Sequence, residues 1–309
     1  MSVYVRRPAC ATACLARSPR SRQPDQPERR PLKLAVLAWP RSREVMARMT
    51  PEEYVRKGNR QVNGWLRPEA ATLILAMAGH QQVTGAVGEI GVHHGKLFIL
   101  LSLLRRAGEQ AVALDLFENQ ELNIDRSGHG DRAVFERNLK AAGSDGAVTI
   151  RTCDSTSLSS KELLEWGRGP FRLFSVDGGH TAEITKSDLT IASESLCYGG
   201  LLILDDYFNV GWPGVSEGTN RFLATDPAVV AVGSAHGKMF FSNSDAAGDY
   251  RDTMRRVAAA HGWRVSEQQF YGQPHTILRT VSFANRVVRG AKSAVKRVPG
   301  ARAVAAALR

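Results

Sequence analysis

The 309-residue sequence has no apolar run of about eighteen residues, the length needed to cross a bilayer as a helix. It has no internal repeat. Its four cysteines, Cys10, Cys14, Cys153 and Cys197, include no second close pair and no histidine cluster to complete a zinc pattern. They read as free thiols in a reducing, cytoplasmic compartment. The chain also lacks Gly-x-Gly-x-x-Gly, which counts against a nicotinamide cofactor. It lacks a Gly-Lys-Ser/Thr phosphate loop as well, because Gly95-Lys96 is followed by Leu97.

Basic charge is abundant, but it is confined to the ends. Residues 1–35 carry a net +6 and residues 281–309 a net +7, whereas residues 36–280 carry −2. The central part therefore has no electrostatic footprint for nucleic acid. Residues 1–35, rich in Arg, Pro, Ser and Gln, read as a disordered basic tail. Arg6-Arg7 before an Ala/Cys-rich run is only a weak export pattern. Met46 or Met49 is a plausible true start, because Thr50-Pro51-Glu52-Glu53 carries a helix-cap pattern. Residues 281–309 read as a basic amphipathic helix and tail. Contact with an anionic membrane surface or with a partner is one option for it, set against a solvated helix packing its Val/Ala face on the body.

Between these ends, apolar strands alternate with helix-period segments. Strands are expected at 86–92, 111–117, 148–152, 171–176 and 201–204, and helices at 67–78, 97–106, 131–142, 158–166 and 182–196. A hairpin follows at 229–242, then a helix at 249–261 and strand candidates at 263–270 and 275–279. This β-α alternation indicates a doubly wound, mainly parallel α/β (Rossmann-like) sheet. Seven strands are expected, with a single domain spanning 50–280.

Successive parallel strands joined by helices end on the same rim of the sheet, where open α/β sheets bind ligands. Asp177 ends the fourth strand, and Asp205 and Asp206 end the fifth. Three carboxylates gathered there repel one another unless a cation joins them, and hard oxygen ligands suit Mg²⁺, Mn²⁺ or Ca²⁺. Strand-end aspartates also cap turns, but three on one rim point to a metal. His180 lies three residues past Asp177, where it could take a proton from a bound hydroxyl. Gly91 and Gly95 permit close backbone approach between strand and helix. Asp115 ends the next strand at a distance suited to ribose hydroxyls, and Asp154 follows the third strand. Together they favour a nucleoside cofactor over a plain strand–helix turn.

These residues together resemble the class I S-adenosylmethionine-dependent methyltransferases, in particular the metal-dependent O-methyltransferases of the catechol and the macrolide/aminocoumarin sugar types. The resemblance spans roughly residues 60–245. It implies that Glu89, Gly91 and Gly95 lie against the methionine part of S-adenosylmethionine, Asp115 at its ribose and Asp154 near its adenine. It also implies that Asp177, Asp205 and Asp206 hold Mg²⁺ or a similar cation, with His180 as the base, a residue type that matches the sugar branch. The loop 118–131, with Asp125-Arg-Ser-Gly-His-Gly-Asp131, resembles that branch too. The implied activity is O-methylation of a hydroxyl on a sugar or polyketide-like small molecule, by a protein that could be a homo-oligomer. Tyr207, Phe208, Trp212 and Asn220 are candidates to cover the substrate. His93, His94 and His236 read as loop or hairpin residues, and His129 is undecided. Two other classes stay open: a metal-dependent hydrolase or hydroxylase-like enzyme without the cofactor, and an inactive cofactor-binding interaction protein.

Overall fold

The computed structural model describes residues 48–280. The N-terminal tail, Met46, Cys10, Cys14 and the basic C-terminal helix lie outside them. Helix α1 (Pro51–Arg56) opens with the expected capping box: Thr50 accepts from the Glu53 amide, and the Glu53 carboxylate accepts from the Thr50 amide. The chain then alternates as expected. It runs α2 (Pro68–His80), β1 (Ala86–Ile90), α3 (Lys96–Leu103), β2 (Ala111–Asp115), α4 (Arg132–Ala141), β3 (Val148–Thr152) and α5 (Ser160–Gly167). It continues β4 (Phe171–Val176), α6 (Ala182–Glu194), β5 (Leu196–Leu204), α7 (Pro213–Leu223), β6 (Val230–Ala235), β7 (Lys238–Ser242), α8 (Ser244–His261), β8 (Arg264–Phe270) and β9 (Gln273–Arg279).

One sheet contains all nine strands, in the order β3-β2-β1-β4-β5-β7-β6-β9-β8. Strands β1 to β5 are mutually parallel, and β7 runs antiparallel between β5 and β6. The expected count of seven is therefore corrected to nine among the described residues. The β8–β9 hairpin joins the same sheet, because β9 pairs with β6 and covers backbone groups that would otherwise form an open edge. A second correction concerns Tyr198–Gly199–Gly200. These residues do not form a turn before the fifth strand but a bulge within it: Phe171 pairs with Leu196 while Leu173 pairs with Leu201, and Gly199 takes φ +77°.

Side chains alternate between two apolar layers, as a sheet covered on both faces requires. Leu201 and Ile203 pack with Leu73, Ile74, Phe98 and Met254 from α2, α3 and α8. Leu202 and Leu204 pack with Leu163, Leu189 and Phe222 from α5, α6 and α7. Strand β4 is buried along its whole length. No helix among the described residues is long and apolar enough to cross a membrane.

The amino-end rim of the sheet is fastened by one buried cation. Arg172 donates from Nε and Nη2 to the two carboxylate oxygens of Glu109 (2.8 and 2.9 Å), from Nη1 to Gln81 Oε1 (2.8 Å) and from Nη2 to the Leu104 carbonyl (2.8 Å). Gln81 donates in turn to the Arg172 carbonyl and to the Tyr250 hydroxyl, which donates to Gly199. The ends of α2 and α3, strand β4, helix α8 and the β5 bulge thus share one network. Arg172→Ala should destabilise the fold by about 3–5 kcal/mol in urea unfolding, since it leaves Glu109 buried without its partner. A change below 1 kcal/mol would refute this role for the network.

Asp188 in α6 is fully buried with neither carboxylate oxygen well bonded, and the Ser155 hydroxyl only partly offsets that burial. Burial pushes its pKa from 3.8 up to about 7. The folded state therefore keeps the proton that the unfolded chain has lost, and stability falls as pH rises from about 4 to 7. Asp188→Asn should remove a slope of up to about 1.4 kcal/mol per pH unit in that window and be the more stable protein at pH 8. Parallel stability curves for the two proteins from pH 4 to 8 would overturn the assignment.

Candidate functional site

The parallel ladder continues just beyond the strand ends and brings the chemistry to one rim. The Gly91 amide donates to Leu114 (2.8 Å), Asp177 to Ile90 (2.9 Å), Asp205 to Val176 (3.1 Å) and Cys153 to Asp115 (3.1 Å). Gly91 sits at φ +83°, and a Cβ there would lie 1.8 Å from the Asp177 carbonyl oxygen, so only glycine lets the β1 and β4 exits run side by side. A cleft of about 610 Å³ opens at this rim. Gly91, Asp115, Asp154, Asp177, His180, Asp205 and Asp206 all line it.

Glu89 and Gly95 are not among its lining residues. Glu89 is buried behind the rim with Oε2 unpartnered, and burial, with Asp177 nearby, raises its pKa well above the carboxylate range. Gly95, at φ +88°, turns the chain into α3, and a Cβ there would press on Phe135. Of the aromatics and Asn220 expected to cover the substrate, only Trp212 lines the cleft. Tyr207 instead donates to Asn220 (3.1 Å).

At one end of the cleft, Asp115 accepts from the amides of His93 and Phe117 (both 2.7 Å). Burial nonetheless raises its pKa, those two bonds opposing the shift. Asp154 caps the turn Ser155–Ser157, accepting from the Thr156 amide (2.9 Å) and hydroxyl (2.7 Å). The His93 ring stacks on His94, and burial with that neighbour pushes it down to about 4, so it stays neutral.

At the other end, the donor atoms of Asp177, His180 and Asp206 lie within 4.8 Å of one another. His180 Nε2 is 3.3 Å from Asp206 Oδ2, and Nδ1 is 2.9 Å from Asp125 Oδ2. The imidazole stacks on Trp212 at 4.4 Å. Burial alone would lower the His180 pKa, but the bonds to Asp206 and Asp125 outweigh it and raise it. Burial acts to raise Asp206 as well, but its bonds to His180 and Asn209 hold it low. Asp177 is pushed well up by burial and by Asp205. Asp206 occupies the left-handed region at φ +60°, a strained setting for a non-glycine residue. Asp205 is paired with Lys238, whose ammonium also lies 3.9 Å from Asp177 Oδ2.

Two partners in this site had no role in the sequence reading. Asp125 stood inside a noted motif, and its Asx turn, Ser127 amide to Oδ1 at 2.9 Å, was a local signal. Lys238 gave only one: a charged residue opening an otherwise apolar strand. The residues at hand fit both implied groups. Oxygen donors in an acidic pocket suit a hard divalent cation. The cleft also falls within the usual range for cofactor sites and carries Asp115 and Asp154 at the far end from the acids.

Residues 89–207 match a family model described as "Methyltransferase domain". Solved structures of similar shape include the O-methyltransferase NovP (16% identity, 56% of this chain and 80% of that one, TM-score 0.46). They also include an O-methyltransferase from Bacillus cereus in complex with SAH (18%, 62% and 90%, 0.43). A third is the O-methyltransferase TomG from Streptomyces achromogenes in complex with SAM (16%, 62% and 89%, 0.43). No curated protein matches the chain in sequence. The family match covers the span from Glu89 to Tyr207, which holds the parallel strands β2, β3, β4 and β5 and the rim residues at their ends, and over that span the chain is similar to a methyltransferase domain.

Proposed function

We propose that the protein transfers a methyl group from S-adenosylmethionine to the hydroxyl of an uncharged small molecule, assisted by a divalent cation. The observation that carries this reading is the meeting of Asp177, His180 and Asp206 in the cleft whose far end holds Asp115 and Asp154. Asp115 would bind the ribose and Asp154 the adenine edge, with Gly91 beside the methionine part and Glu89 acting from behind the rim. Asp177, Asp205 and Asp206 form the acidic set for the cation. When bound, the cation would supply Lewis-acid lowering of the acceptor hydroxyl's pKa, and the cofactor an electrophilic methyl group.

The chain's own part is orientation and proton removal. Asp125 engages Nδ1 of His180, so that Nε2, beside Asp206, is the nitrogen turned toward the acids that would take the hydroxyl proton once a cation draws Asp206 away from it. Trp212 fixes the plane of the ring. Around the mouth, Trp65 and Ile124 are about three-quarters exposed, and both line the cleft. Arg67 is the only Arg or Lys among the lining residues, and Glu69 lies 3.8 Å from it. Apolar walls and an acidic floor favour a neutral, polyketide-like acceptor over a nucleotide-linked sugar, whose phosphates would meet only Arg67 among the described lining residues. Faster turnover of a nucleoside-diphosphate sugar than of an uncharged apolar diol would reverse that choice.

Calorimetry with S-adenosylhomocysteine should show one site on the full chain, and no binding would remove the proposal. His180→Ala and Asp206→Ala should each lower kcat about 10²–10⁴-fold while S-adenosylhomocysteine affinity stays within about threefold. Full activity in both variants would exclude the assigned chemistry.

A further inference from the structure

Lys238 is a buried ammonium in a place where the sequence suggested only carboxylates. It opens β7, which runs antiparallel to β5 with Met239 paired to Leu204. Extending that register by one residue sets Lys238 opposite Asp205. The side chain is almost fully buried, and Nζ bonds Asp205 Oδ2. The other oxygen of Asp205, Oδ1, accepts from the Asp206 amide at 3.0 Å. Both oxygens of Asp205 are thus engaged.

The other two acids differ. The Asp177 and Asp206 side chains are 28% and 27% exposed, against 11% for Asp205. Their carboxylates and His180 Nε2 or Nδ1 form the one compact group among the described residues able to hold an ion, and Asp205 is not in it.

We infer that Lys238 is a built-in counter-cation that withdraws Asp205 from the exchangeable ion's ligands, so that Asp177 and Asp206 hold that ion. This rests on the cation-assisted reading above, and it replaces that reading's three-acid set with two acids and a fixed ammonium. An ion that took Asp205 would have to displace the ammonium and leave it buried without its closest partner, a costly arrangement. The ammonium cannot dissociate, so the rim keeps Asp205 in place whether or not the exchangeable ion is bound. Lys238 is absent from the cleft lining and is therefore a positioning residue.

The test is Mn²⁺ binding to the full chain, read by calorimetry and by loss of the free-ion electron paramagnetic resonance signal, with circular dichroism to check folding. The parent should bind one Mn²⁺. Asp177→Asn and Asp206→Asn should each weaken it at least about tenfold, and Asp205→Asn less than about threefold. Lys238→Met should tighten binding about tenfold by freeing Asp205, and adding Asp205→Asn to it should cancel the gain. Asp205→Asn weakening Mn²⁺ as much as Asp206→Asn would overturn the inference. Should Asp205→Asn alone not fold, the Lys238→Met/Asp205→Asn double variant decides. Parent-like affinity supports the inference, and a loss matching Asp206→Asn overturns it. A parent chain that binds no Mn²⁺ removes the cation-assisted reading itself, and this inference with it. A parent that binds while Asp205 proves essential removes the inference alone.

Discussion

The parallel pairing of β2, β1, β4 and β5 is the constraint from which the site follows. Parallel neighbours share a direction, so their exits collect on one edge, and the bonds that run on past the strands keep Asp115, Asp177 and Asp205 in a row. The demand is strictest at Gly91, where the β1 exit passes against the Asp177 carbonyl with no space for a side chain. Each residue at the rim thus has its place fixed by the backbone before its chemistry is considered.

The two rims of the sheet treat charge in opposite ways. At the amino-end rim, Arg172 and Glu109 satisfy each other, and their remaining donors and acceptors meet carbonyls and amides. That rim stabilises. At the carboxyl-end rim the acids outnumber the local cations, Asp206 sits in a strained backbone region, and Glu89 keeps an oxygen without a partner. Such frustration persists where function requires it.

Much of this was legible in the sequence, because the signals were periodic or terminal. Strands β3 and β4 fall at the expected residues, since short β-branched or apolar runs bounded by turn residues specify them. Asp177, Asp205 and Asp206 were gathered from strand ends, with His180 beside them, and of these the compact group is Asp177, His180 and Asp206. What escaped depended on contacts distant in sequence. The pairing of β9 with β6 needs a partner over forty residues away, so the hairpin's membership of the sheet had no local mark. Tyr198-Gly-Gly looked like a turn because a bulge and a turn use the same residues. Lys238 meets Asp205 across 33 positions, and Asp125 meets His180 across 55. Glu89 belonged to the expected motif, yet it is buried among the site's charged groups and does not line the cleft, which spacing cannot reveal.

The loop between β2 and α4 carries two neighbouring residues with different duties. Ile124 stands exposed at the mouth, and Asp125, its next residue, grips His180. On the function proposed above, one peptide bond would therefore join a residue that meets the acceptor to the residue that aims the base. A change of loop length or sequence that admitted a new acceptor would then also shift the imidazole. Divergence toward new substrates would then proceed through paired substitutions on this loop and on the Asp206–Trp212 segment, and simple loop exchange between relatives would yield proteins that bind an acceptor without turning it over.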